Sequence, residues 1–114
     1  MIAALVLLMA TQAGPCADAV TQTDLNLCSM KEYEAADAEL NAAWRDLRDV
    51  ARQRGMSDSL LKAQRAWIAF RDAHCETVAA RYAGGSIVPL IANRCMTELT
   101  EARSAQLREL AETN

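Results

Sequence analysis

The sequence predicts an all-α protein, an antiparallel three-helix bundle with two disulfides. Three observations lead there. Apolar residues recur at steps of three and four over three long stretches, the signature of helices with one buried face. Only two clusters of turn-forming residues interrupt them, Arg54-Gly55-Met56-Ser57-Asp58 and Ala83-Gly84-Gly85-Ser86. The four cysteines form an even set in a chain of 114 residues, short enough that cross-links matter to its stability. No alternating polar–apolar run is long enough for a strand.

Residues 1–13 are expected to be a signal peptide. Met1 to Ala10 is apolar and uncharged, and Thr11-Gln12-Ala13-Gly14 supplies the small residues of a cleavage region. Cleavage after Ala13 leaves Cys16 in the mature chain, residues 14–114. About ten apolar residues are too few to span a bilayer, which takes roughly 20. No basic residue precedes the run, so a buried N-terminal helix is the alternative. Pro15 stands where a lipobox before Cys16 needs a small residue, which argues against a lipid anchor.

An irregular lead-in reaches Thr21, and helices are expected at about 21–54, 57–83 and 86–112. Thr21-Gln22-Thr23-Asp24 resembles a capping box with Asp in place of Glu. The first stripe runs through Leu25, Cys28, Ala36, Leu40, Trp44, Leu47 and Val50, with Gly55 as the stop. Ser57 or Asp58 is expected to cap the second helix. Its stripe is Leu60, Gln64, Trp67, Ile68, Arg71, Cys75, Val78 and Tyr82, interrupted by two polar residues. Gly84 and Gly85 end it, Ser86 is expected to cap the third helix, and Pro89 fits its first turn, where no N–H is needed. The third stripe is Ile87, Ile91, Cys95, Leu99, Ala102, Gln106 and Leu110.

Four cysteines allow three pairings. Cys75 lies about nine residues before the Gly84–Gly85 turn and Cys95 about ten after it, so a helical hairpin sets both at roughly 13–15 Å from the turn. Cys75–Cys95 with Cys16–Cys28 is therefore the expected pairing. The smallest gap between cysteines, twelve residues, lacks the close pair usual in a zinc site, and no metal or cofactor is expected.

The net charge of −3 gives no clustered basic face for nucleic acid; the acidity suits a basic protein partner without requiring one. Two Trp, two Tyr and one Phe among abundant Ala, Leu, Arg and Glu point to helices packed through small side chains. The single histidine, His74, is adjacent to Cys75, and neighbouring helical residues point about 100° apart, so the two do not form a catalytic pair. With no metal-ligand cluster and no phosphate loop, the chain is read as a non-enzyme.

The segment from Thr21 to Cys28, then Tyr33 and Ala36-Asp37-Ala38-Glu39-Leu40-Asn41, resembles the opening of the lysozyme inhibitor LprI-like family of small exported bacterial proteins. Gln64-Arg65-Ala66-Trp67-Ile68-Ala69-Phe70-Arg71-Asp72-Ala73-His74-Cys75, followed by Gly84-Gly85-Ser86 and by Cys95 to Arg103, is similar to the family's more specific half. The likeness covers about Cys16 to Leu110. It implies a periplasmic or secreted protein that binds a protein partner, a lysozyme by the family's name, and the expected mode of inhibition is occlusion of that enzyme's cleft. The alternative is a structural or adaptor module binding another envelope protein through a helical face. The likeness carries no inhibitory residues over to this chain.

Each candidate residue also has a plain structural reading. Gly84, Gly85 and Ser86 either form a partner-binding loop, with N–H groups opening a helix toward the carboxylates of a lysozyme cleft, or merely end one helix and start the next. The second reading is favoured. Within the motif Gln64, Trp67, Phe70, Arg71 and Asp72, Trp67 is expected to be buried and Phe70 exposed. Arg71 on an apolar face needs a partner, expected among Asp37, Glu39 and Asp24. Charges off the stripes, such as Arg45 and Asp49, are expected on a solvated face.

Overall fold

Thr21 begins the first helix by accepting the Asp24 backbone N–H on its side-chain oxygen at 3.0 Å, as the capping-box reading requires. The computed structural model describes residues 16–112. The expected signal peptide therefore lies outside the described residues. Helix α1 (Gln22–Gln53) runs back into α2 (Ser57–Ala80), which turns into α3 (Val88–Glu112). Over the described residues the chain is an all-α, antiparallel three-helix bundle with two disulfides, and α2 runs against both of its neighbours.

The end of α1 is closed by Gly55, whose φ of +69° is open to glycine at little cost. Beyond it, the Met56 N–H donates back to the Ala51 carbonyl at 2.8 Å, a six-to-one Schellman bond. Met56 then packs against the core, the apolar contact that accompanies such a cap. Met56 also occupies the N-cap of α2 and offers no side-chain cap, so neither Ser57 nor Asp58 plays the expected part. One residue serves both helices because the turn is so short.

The core lies at the end of the bundle near this turn. Leu40, Ala43, Leu47 and Ala51 of α1 meet Leu60 of α2 and Leu107 of α3, with Trp44, Met56, Trp67 and Ala111 packed around them. Leu47 and Leu107 are completely buried, each stabilising by about 2 kcal/mol. Helix α3 contacts α1 most extensively and α2 less, whereas α1 and α2 meet little.

This arrangement corrects the stripe expected for α3. The buried residues are Leu90, Thr100, Ser104 and Leu107, while Ala102 and Gln106 are exposed and Leu110 is 40 % exposed. Ile91, Cys95 and Leu99 are half-buried. The tight α1–α3 contact takes small hydroxyl side chains, which let two backbones approach. Periodicity equates apolar with buried and so selected the neighbouring face. On α2 the buried line is narrow, Leu60, Gln64, Arg71, Cys75 and Ala79, and Ile68 and Tyr82 are exposed. With α1 set apart, nothing covers the Ile68 side. On the solvated face of α1, Asp49 pairs with Arg52.

Candidate functional site

The second turn is clamped from both sides. Cys75 and Cys95 are bonded across it with Cα atoms 5.5 Å apart. Cys16 and Cys28 are bonded with Cα atoms 5.0 Å apart, which fastens the lead-in to the first turns of α1. Both bridges are the expected ones.

Between the Cys75–Cys95 clamp and the tip, α2 tightens before it ends. The N–H groups of Tyr82, Ala83 and Gly85 donate to the carbonyls of Ala79, Ala80 and Tyr82, each a step of three residues. The regular helix therefore ends at Ala80 rather than Ala83. Gly84 reverses the chain with a φ of +84°, and a Cβ on Gly85 would lie only 3.1 Å from the Tyr82 carbonyl oxygen. Ser86 does not cap α3. The Ile87 carbonyl receives the first helical bond, from Ile91 N–H at 3.1 Å, and Pro89 sits in the first turn as expected.

Gly84, Gly85 and Ser86 are all exposed, yet the tip is tied down. The Ser86 carbonyl accepts from Asn26 Nδ2 at 3.0 Å, and Asn26 Oδ1 accepts from Gln22 Nε2 at 2.8 Å. Asn93 Nδ2 donates to Ser29 Oγ at 3.0 Å and to the Asn26 carbonyl at 3.3 Å. These amides bind the tip and the start of α3 to α1 beside the Cys16–Cys28 bridge. Asn26, Ser29 and Asn93 escaped the sequence reading, which sought functional side chains rather than polar groups that tie helices together. The one signal for Asn26 was its place inside the Thr21–Cys28 segment.

The α2 motif divides into two parts. Gln64 Oε1 accepts from Arg103 Nε at 2.9 Å. Trp67 is half-buried between two guanidinium groups, with Arg71 at 5.0 Å and Arg103 at 5.9 Å from its ring centre. Arg71 also lies 5.8 Å from the Tyr33 ring. Gln64, Trp67 and Arg71 thus form a ladder joining α2 to its neighbours. Phe70 is apart from it, 56 % exposed and stacked on His74 with ring centres 5.2 Å apart.

Arg71 is buried, and its ion-pair partner is Asp72, the next residue, through Nε at 3.0 Å; Nη1 reaches Thr100 Oγ1 at 3.4 Å. This replaces the expected pairing with Asp37, Glu39 or Asp24. All three acids are on α1, whose contact with α2 is slight, and there the Tyr33 ring rather than an acid lies against Arg71. Burial depresses the Arg103 guanidinium from its ordinary value. Burial likewise raises the Tyr33 phenol above its usual 10.0, opposed by the charge of Arg71 and reinforced by Asp37 and Asp72.

Two hollows flank the tip. One, of about 740 Å³, lies where α1 and α2 diverge above α3 and brings Arg71, Asp72 and Gly84 together with Tyr33. The other, of about 290 Å³, opens between α2 and α3 and carries His74, Arg81, Tyr82, Arg94 and Glu98. Among the described residues no helix is long and apolar enough to cross a membrane.

Together the two disulfides, the tip and the α2 ladder occupy the same stretch that a known family covers. The family described as Lysozyme inhibitor LprI matches residues 15–107. The chain belongs to the LprI family. An uncharacterized protein of Rhizobium meliloti (strain 1021) is 43 % identical over 110 residues, covering 86 % of this chain and 79 % of that protein. No solved structure matches. The LprI match begins one residue before Cys16 and ends at Leu107, so it takes in both disulfides, the Gln64–Arg71 ladder and the tip.

Proposed function

We propose that this LprI protein is an exported, non-enzymatic binding protein of the cell envelope that inhibits a lysozyme by seating the Gly84–Ser86 tip in the enzyme's cleft. The observation that carries the reading is the family match across residues 15–107. Two disulfides suit an oxidising compartment outside the cytoplasm.

Electrostatics supports the choice of the tip. A lysozyme cleft holds two catalytic carboxylates. Arg81 and Arg94 share the hollow beside the tip and are in no ion pair among the described residues, while Glu98 is that hollow's one acid. Arg81 stands three residues before Gly84, and Arg94 farther down the hairpin beside Cys95, so both cations lie behind a tip whose backbone is already held by a disulfide and by Asn26. A pre-ordered loop loses little conformational freedom on binding.

The test is lysis of peptidoglycan by several lysozyme types with the purified, disulfide-bonded protein in excess. Saturable slowing of at least one type, lost in the Arg81→Glu/Arg94→Glu double variant, is the expected result. No slowing of any type would remove the reading. Slowing that survives both charge reversals would move the contact away from the tip.

A further inference from the structure

The larger hollow has a composition that the tip's role leaves unused. Its floor and one wall are small or apolar, with Ala79 and Ala80 on α2, Ala83 in the turn beyond it, and Val88, Ala92 and Met96 on α3. Its mouth is acidic. Asp72 and Glu76 stand on the α2 rim. The one cation there, Arg71, is already held by Asp72. Glu76 is in no ion pair among the described residues. An apolar trough with an uncompensated negative mouth suits long aliphatic side chains that end in a positive charge. Lysine and arginine lay their stems on apolar surface and keep their heads at a polar rim.

We infer that this groove docks a short basic segment of a partner protein, with lysine or arginine heads at Asp72 and Glu76 and aliphatic groups on the alanine floor. About 740 Å³ holds a few side chains and not a whole helix, so the occupant is a loop or one turn of a helix. The inference is independent of lysozyme inhibition, because it uses the opposite side of the tip and the opposite charge.

Amide chemical-shift mapping on the labelled, disulfide-bonded protein tests it. The probes are two short synthetic peptides with the same leucines, one carrying lysines and the other glutamates, and decanoate as an apolar anion. The lysine peptide is expected to give saturable shifts confined to the groove, around Tyr33, Glu76, Ala80 and Ala92. Glu76→Lys, an exposed position that no contact of the fold requires, should weaken it by roughly tenfold. Ala80→Trp, filling the trough from an exposed site, should abolish it. Equal binding of the glutamate peptide or decanoate would overturn the assignment of charge. Absence of saturable shifts with the lysine peptide, or concentration-dependent self-association that buries the same residues, would overturn the docking site.

Discussion

Replacing Arg71 tests whether the α2 ladder is a structural device. Arg71 is 8 % exposed, and five contributions leave with its side chain in Arg71→Ala. Two cation–π contacts, with Trp67 at 5.0 Å and Tyr33 at 5.8 Å, contribute about 0.5–1 kcal/mol each. The Thr100 hydroxyl, on a residue with no exposure, loses its partner at a cost of about 1 kcal/mol, the low end because the 3.4 Å bond is long. The buried stem contributes roughly another 1 kcal/mol. The ion pair adds little, since Asp72 is 55 % exposed and screened by solvent. The expected loss is about 3 kcal/mol. Arg71→Met keeps the buried stem but neither the cation–π contacts nor the donor to Thr100, and should lose about 2 kcal/mol. Urea unfolding with both disulfides intact measures each, and an unchanged m-value shows that the loss is one of stability alone. A loss below about 1 kcal/mol for Arg71→Ala, or equal losses for the two variants, would refute the ladder as a source of stability.

The buried hydroxyl of Ser104 has no hydrogen-bond partner among the described residues, so Ser104→Ala should stabilise by about 0.5–1 kcal/mol in the same unfolding assay. Loss of the Cys75–Cys95 bridge in the double alanine variant should cost about 3.3 kcal/mol by chain entropy for a separation of 20, against about 2.8 kcal/mol for Cys16–Cys28 with 12. Burial of Cys75 at 2 % exposure widens that gap, and a larger cost for the Cys16–Cys28 pair would contradict it. For Tyr33, burial raises the phenol pKa, so the folded state binds this proton more tightly than the unfolded chain. The resulting stability is complete below the unfolded value near 10.0 and is lost as pH rises through the folded value. Tyr33→Phe should lack this alkaline component, which unfolding midpoints on either side of about pH 10 would show.

Much of the fold was legible because the relevant interactions are local. Thr21 and Asp24 meet within one helical turn, Gly55 needs only its own φ, and the Cys75–Cys95 pairing follows from equal distances to one turn. What escaped was set by distance between helices. An apolar stripe marks a buried face only if some helix covers it, and α1 does not cover the Ile68 side of α2. Conversely, Thr100 and Ser104 are buried because α3 must approach α1 closely, which their small volume permits and their polarity conceals. The Arg71 partner was misplaced for the same reason, since every expected acid was assigned to a helix assumed to lie near.

That separation of α1 from α2 also bears on the site. In a bundle whose first two helices packed along their whole length, Tyr33 would close over Ala79 and Ala80, and no groove would stand beside the tip. The core seals the other end of the bundle, where Leu40, Leu47, Leu60 and Leu107 join all three helices. At the tip end, disulfides and the Asn26–Asn93 network take over that task, because cross-links and amides hold helices in register without filling the space between them. An apolar core at this end would give similar stability and leave no hollow. The division of labour between the two ends is therefore a physical reason to look for binding at the tip and along the groove beside it.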